Sequence, residues 1–142
     1  MADADYRRLL ALRTGFRHFL RWSEEQAASS GLTPSQHQLL LAIRGHAGDD
    51  APTIGDVAAA LLLKHHSAVE LVNRSGEAGL VRRRRDTDDR RVVRLELTAE
   101  GARLLQTLSG RHLEELGRLA RSIGPLLAGL DEPALEAARS TA

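Results

Sequence analysis

Between Leu80 and Thr98 the chain reads Leu-Val-Arg-Arg-Arg-Arg-Asp-Thr-Asp-Asp-Arg-Arg-Val-Val-Arg-Leu-Glu-Leu-Thr, seven arginines in nineteen residues. The pattern predicts two short strands, about 80–85 and 92–98, joined by a charged loop at 86–91. In the second strand Val93, Leu95 and Leu97 share one face, and Val92, Arg94 and Glu96 the other. Everything around this stretch has helical periodicity. A basic hairpin in a helical chain reads as a projecting element that meets a polyanion, with duplex DNA as the first candidate.

Charge placement supports this reading. The net charge is only +1, yet residues 64–94 hold nine basic and five acidic side chains, a local excess of +4. All four aromatic residues, Tyr6, Phe16, Phe19 and Trp22, lie far from that cluster. Single-stranded nucleic acids are usually gripped by stacking bases on aromatic rings. A basic hairpin without them fits the backbone and grooves of a duplex better.

The helices can be placed by spacing. Residues 5–29 form a long one, with Leu9, Leu12, Phe16, Phe19, Leu20 and Ala27 three and four apart, closed by Gly31. Thr33-Pro34-Ser35-Gln36 is a helix-start signature, and the helix it opens runs to about His46 with Leu39, Leu40 and Ile43 inward. Thr53 caps a short helix at 54–61, where Ile54, Val57, Ala58 and Leu61 fall on one side. After a short turn, a helix at 66–78 carries Val69 and Val72 inward and His66, Ser67, Glu70 and Arg74 outward, ending at Gly79. These last two helices make a helix-turn-helix whose second member is the recognition helix. Thr98 starts a helix over about 99–121 with a stripe of Ala102, Leu105, Leu108, His112, Leu116 and Leu119. Gly124-Pro125 is expected to break it. Leu126, Leu127 and Leu130 then make a short apolar turn, and Asp131 caps a final helix from Glu132 to about Arg139.

The expected fold class is mainly α with a small β-hairpin, a winged helix-turn-helix plus a helical dimerisation region. Residues 1–30 and 99–142 carry more apolar surface than the middle lobe at 31–98 can cover, so a two-fold dimer built from the ends is expected. No apolar run approaches the roughly 18–20 residues that span a bilayer, and the first residues are too polar for a signal peptide. Without cysteine there is no disulfide framework and no thiolate metal site. A cytoplasmic protein is the simplest reading. One lysine against nineteen arginines suggests a GC-rich bacterial source.

Gly79-Leu80-Val81-x-Arg83, then Asp86-Thr87-Asp88-Asp89-Arg90-Arg91, then Leu97-Thr98-x-x-Gly101 carry a resemblance to the multiple-antibiotic-resistance regulator (MarR) family of winged helix-turn-helix proteins. The segment His65 to Arg74 also looks like that family's recognition helix. The resemblance implies a dimeric transcriptional regulator, often a repressor, on a pseudo-palindromic operator. It also implies release by a small, often aromatic, effector bound between the lobes. In family terms Arg91 is the wing-tip arginine that enters the minor groove and Asp89 orients it. One departure stands out: Ser75-Gly76 replaces the leucine and acid common at the end of the recognition helix, which puts that helix end and its packing in question.

The expected DNA-binding residues are His65, His66, Ser67, Glu70, Arg74, Arg84, Arg85, Asp89, Arg90 and Arg91. His65 to Ser67 lie where free backbone amides favour phosphate, although Ser67 could serve only as a cap. Arg74 suits guanine or phosphate and Glu70 suits cytosine, unless the two pair with each other. Arg91 is assigned to the groove and Arg90 to a phosphate, while about two of Arg82 to Arg85 are left to reach DNA. His18, Arg21, Trp22 and His37 are candidates for an effector pocket. Neither a metal site nor a cofactor site is expected, since adjacent His65 and His66 point to different faces. No nucleophile–base pair or phosphate-binding glycine loop suggests catalysis. The alternatives are a helical adaptor whose arginine hairpin docks an acidic protein, and a small enzyme holding an anionic substrate.

Overall fold

The computed structural model describes residues 1–128 and residue 130. Its elements follow in the order α1 (Asp3–Ser29), α2 (Pro34–Arg44), α3 (Ile54–Ala60), α4 (His65–Glu77), β1 (Val81–Arg85), β2 (Val93–Leu97) and α5 (Ala99–Leu127). The expected final helix after Asp131 lies outside the described residues.

Local chemistry sets most of the boundaries. Thr33 accepts a hydrogen bond from the Gln36 amide at 3.1 Å while its own amide donates to Gln36 Oε1. Thr53 and Asp56 repeat this reciprocal box at the start of α3. Each box satisfies amides that a helix start leaves without an intrahelical partner. Gly31 and Gly79, at φ 79 and 74, take the left-handed conformation that ends α1 and α4. The turn between α3 and α4 uses Leu62 at φ 55, a conformation that costs a side-chain-bearing residue about 1–2 kcal/mol.

Three expectations need correction. Lys64, with no side-chain cap, stands at the N-cap of α4, so Ser67 lies one turn inside and is not a cap. Val69 is only half-buried; the inner face of α4 is Ala68, Leu71, Val72 and Ser75. Gly124-Pro125 does not break α5, which continues to Leu127 with Pro125 inside it. The proline removes one amide near the helix end, but the Ala128 amide still donates to the Gly124 carbonyl at 3.1 Å, so the last turn closes around it.

The chain divides into two compact units, one of residues 24–109 and one of residues 1–23 with 110–142. In the first, Ala27 and Leu32 join Leu39, Leu40 and Ile43 of α2, Val57 of α3, Leu71 and Val72 of α4, Leu80, Val81 and Leu95 of the hairpin region, and Leu105 and Leu108 of α5 in one core. In the second, Leu12 and Ile123 are buried, and a Cβ on Gly15 would touch Ile123 Cγ2 at 3.0 Å, so the missing side chain lets α1 and α5 approach. Tyr6, Leu9, Leu10, Phe16 and Leu20 on α1, and Leu113 and Leu116 on α5, stay exposed. No described helix is long and apolar enough to cross a membrane.

The Ser75-Gly76 departure leaves α4 intact to Glu77. Ser75 is fully buried and its hydroxyl has no hydrogen-bond partner. A buried unsatisfied hydroxyl costs about 1–3 kcal/mol of desolvation. Ser75→Ala removes that oxygen at almost constant shape. It is expected to stabilise the protein by about 1 kcal/mol, read as a higher midpoint in urea unfolding with an unchanged slope.

Candidate nucleic-acid interface

The hairpin pairs Val81 with Leu97, Arg82 with Glu96, Arg83 with Leu95, Arg84 with Arg94 and Arg85 with Val93. Cross-strand partners share a face, so Arg82, Arg84, Arg94 and Glu96 lie together on one side of the wing. Arg82 reaches Glu96 at 2.9 Å, and Arg84 bridges Glu96 and Asp50, each at 2.7 Å. Arg94, with its side chain 23 % exposed, donates to Asp86 at 3.1 Å and to the Ala51 carbonyl at 3.1 Å, and lies 3.5 Å from Asp50. The loop before α3 adds backbone pairing: Leu95 donates to the Pro52 carbonyl at 2.8 Å, and Thr53 bridges Arg94. The wing is thus clamped at its base by acids and by the 50–53 loop.

The tip is built differently. Asp86, whose side chain is only 10 % exposed, accepts the amides of Asp88 and Asp89 as well as Arg94. This folds the loop back on itself. Asp89 then receives the Arg91 guanidinium in two parallel bonds of 3.0 Å, and its Oδ1 also accepts the Arg91 amide. The Arg91 side chain remains 91 % exposed. The pair is therefore a held but open arginine at the wing tip. Arg85 donates to the Arg90 carbonyl at 3.2 Å, and the Arg90 side chain is exposed.

The carboxylates respond to these contacts. The Arg91 side chain, then its amide, holds the Asp89 carboxyl below the ordinary range. The Asp89 amide, then Arg94, does the same for Asp86. The Ala51 amide and then Arg84 lower Asp50, and Arg84 followed by Arg82 lowers Glu96. Because the folded values are depressed, these groups contribute stability fully above the ordinary carboxylate pKa of about 4. That contribution is lost as pH falls through the lowered values. The Val93 and Leu95 amide resonances are expected to hold steady from about pH 7 to 5 and to shift below about pH 4. A wing unchanged at pH 2 would dissociate its order from these carboxylates.

The candidate recognition helix α4 offers His65, His66, Glu70, Asn73 and Arg74 as exposed side chains, with Ser67 half-buried. Its first amides have no side-chain cap. Glu70 and Arg74 make no ion pair with each other. Sequence spacing alone does not mark Asn73, Asp50 or Arg94 as part of the site. Asn73 Oδ1 accepts from Arg83 Nη2 at 2.6 Å, joining α4 to β1. Only the strand register and the loop position could reveal these partners.

The wing joins α5 through the Leu97-Thr98-x-x-Gly101 motif. Thr98 donates its amide to the Leu80 carbonyl at 3.1 Å and its hydroxyl to the Gly79 carbonyl at 2.6 Å, while its Oγ1 caps the Gly101 amide. The Leu80 carbonyl oxygen occupies the place a Gly101 side chain would take.

The four effector-pocket candidates divide between the units. His37 is buried in α2 in one. In the other, Trp22 packs on His112 with ring centres 4.8 Å apart and on Phe19 at 6.1 Å, and His112 shares a 2.7 Å hydrogen bond with Ser23. His18 lines a separate groove there with Gly15, Phe19, Glu115, Arg118, Leu119 and Ser122, and Arg21 is exposed on α1. Among the described residues no three His, Asp or Glu side chains gather as a metal cage.

The MarR family profile matches residues 30–92. The HTH-type transcriptional regulator YsmB of Bacillus subtilis is 36 % identical over 64 residues, which is 45 % of this chain and 44 % of that protein, less than half its length. CouR of Rhodococcus jostii, solved with p-coumaroyl-CoA, is similar at a TM-score of 0.67 and 26 % identity, over 93 % of this chain and 85 % of that one. A mutant of MepR from S. aureus, solved with an oligodeoxyribonucleotide, has the same fold at a TM-score of 0.65 and 20 % identity, over 96 % and 91 %. Residues 30–92 thus match the MarR family model, and the chain as a whole shares the winged helix-turn-helix fold of solved structures that include a MarR family protein from Bacillus stearothermophilus.

Proposed function

We propose that this protein is a dimeric, sequence-specific duplex-DNA-binding transcriptional regulator, acting as a repressor in the bacterial cytoplasm. The observation that carries the reading is the wing tip. Arg91 is almost fully exposed yet held in a bidentate pair by Asp89, beyond a wing base whose other arginines are already bridged. A positioned guanidinium on a projecting hairpin is suited to the negative potential of a narrow minor groove.

In this reading α4 enters the major groove. His66, Glu70 and Arg74 face base edges, and the uncapped amides near His65 and Ser67 face phosphate. Arg85 and Arg90 meet phosphates beside Arg91. Arg84 reaches DNA only by leaving Asp50 and Glu96, so its role is to brace the wing. Residues 1–30 and 99–142 supply the dimer contact, which would cover the apolar side chains left exposed on α1 and α5. Two subunits then meet a pseudo-palindromic operator. A small aromatic effector near His18, Arg21 and Trp22, which lie in one unit, would release it, as the p-coumaroyl-CoA in the CouR structure suggests by analogy; His37 lies in the other unit and is left out of that site. The adaptor reading has less support, because Arg82, Arg83 and Arg84 already have partners within the chain.

Titration of fluorescent genomic duplexes at several salt concentrations tests the proposal. Affinity is expected to fall steeply with salt, with a log–log slope of about −0.9 for each phosphate neutralised. Absence of duplex binding at low salt would sink it.

A further inference from the structure

The start of α4 breaks the pattern that opens the two helices before it. Thr33 and Thr53 close reciprocal capping boxes on α2 and α3, whereas α4 begins at Lys64, whose side chain caps nothing. Ser, Thr, Asp and Asn stabilise an N-cap, and a cation there opposes the positive end of the helix dipole. Lysine at this position therefore contributes nothing to the fold. The turn in front of it leaves Leu62 93 % exposed, and Lys64, His65 and His66 are exposed in turn. Among the described residues no carboxylate pairs with the Lys64 ammonium.

Lys64 is also the only lysine of the sequence, against nineteen arginines. A guanidinium stays protonated and offers no free amine, so an activated acyl group leaves Arg74 and the wing arginines as they are. A lysine gives up its proton more readily and is the side chain that acyl donors modify. We propose that Lys64 is an acylation site, where modification uncharges the entry of the recognition helix and weakens its hold on DNA phosphate. The inference rests on the DNA-binding reading above and deepens it. The free amine adds to the acyl carbon of an acyl phosphate or acyl thioester. A C–N bond forms, the C–O or C–S bond breaks, and the proton of the amine leaves with the phosphate or thiol. The amide so formed is neutral and no longer displaces a counterion from the duplex. Folding is spared, since the charge removed is one that the helix dipole disfavours.

The test treats wild type and Lys64→Arg with acetyl phosphate in one arm and acetyl-CoA in the other. Peptide mass spectrometry reads modification of Lys64, and anisotropy on a fluorescent genomic duplex reads affinity before and after treatment. In at least one arm wild type is expected to acquire the acetyl group on Lys64. It should then bind about tenfold more weakly, with a salt slope smaller by about 0.9 for each modified subunit. Lys64→Arg carries a charge that no acyl donor removes, so treatment should leave its own affinity where it began. Lys64→Gln is neutral from the outset and, untreated, should bind as weakly as acetylated wild type, with a thermal midpoint no lower than that of wild type. An acetylated wild type that binds as before would overturn the proposal, as would an equal loss in treated Lys64→Arg. So would absence of acetyl transfer to Lys64 in both arms, or an affinity loss that comes with a lower thermal midpoint. An untreated wild type that binds no duplex at low salt would instead overturn the DNA-binding reading, while the mass still records whether Lys64 is acylated.

Discussion

Arg91→Ala is expected to weaken operator binding by about 1–3 kcal/mol per subunit, roughly tenfold or more, and to leave folding and dimer mass unchanged. The side chain is 91 % exposed and, among the described residues, bonds only to Asp89, two residues away, so its loss removes no core contact. Its loss should also lower the salt slope by about 1 if it meets a phosphate, and hardly at all if it sits among groove acceptors. Fluorescence anisotropy at three salt concentrations, with a thermal melt as control, separates the two. Asp89→Asn is the companion change. It keeps one acceptor for Arg91 but not the paired carboxylate, so the arginine keeps its charge and loses its fixed direction. A partial loss of affinity is expected. An Arg91→Ala protein that binds as tightly as wild type would remove the wing tip from the site.

Gly101→Ala is expected to be the most destabilising single methyl in the unit of residues 24–109. The added carbon would land on the Leu80 carbonyl oxygen, a backbone atom that no rotamer change can move. The same carbonyl accepts the Thr98 amide, so a shift of Leu80 breaks that bond or loosens the start of α5. Overpacking of this kind costs about 1–3 kcal/mol or more. At fixed protein concentration the midpoint of thermal unfolding should fall by roughly 3–10 °C. Because the strain is at the root of the wing, duplex affinity should fall as well. Gly110→Ala is the control: a Cβ there meets nothing within 4 Å, and alanine favours the helix. A Gly101→Ala protein with an unchanged midpoint would show that the wing–helix junction adjusts freely.

Much of this fold can be read along the chain because its determinants are local. Thr33 with Gln36, and Thr53 with Asp56, are three residues apart, and each box fixes a helix start wherever it occurs. Gly31 and Gly79 mark helix ends because left-handed φ is costly for other residues. The Asp89-x-Arg91 contact is equally local, since two residues in a turn can meet without help from the rest of the chain. Pro125 shows where a local rule fails: near the end of a long helix it removes one bond, and the neighbouring turns survive.

The partners of the four consecutive arginines were a different matter. The sequence alone expects about two of Arg82 to Arg85, named as Arg84 and Arg85, to reach DNA, and does not show which of the four are already held. The strand register puts Glu96 beside Arg82 and Arg84, the 50–53 loop brings in Asp50 from thirty-four residues away, and the packing of α4 on β1 brings Asn73 to Arg83. Charge and periodicity along the chain therefore determined that a basic hairpin follows a helix-turn-helix, and the resemblance carried by Asp89-x-Arg91 pointed to the arginine at its tip. Which of its arginines are held, and by what, only the tertiary structure decided. Electrostatic pairing depends on distance in space, and that distance is set by register and packing between elements that the sequence lists far apart.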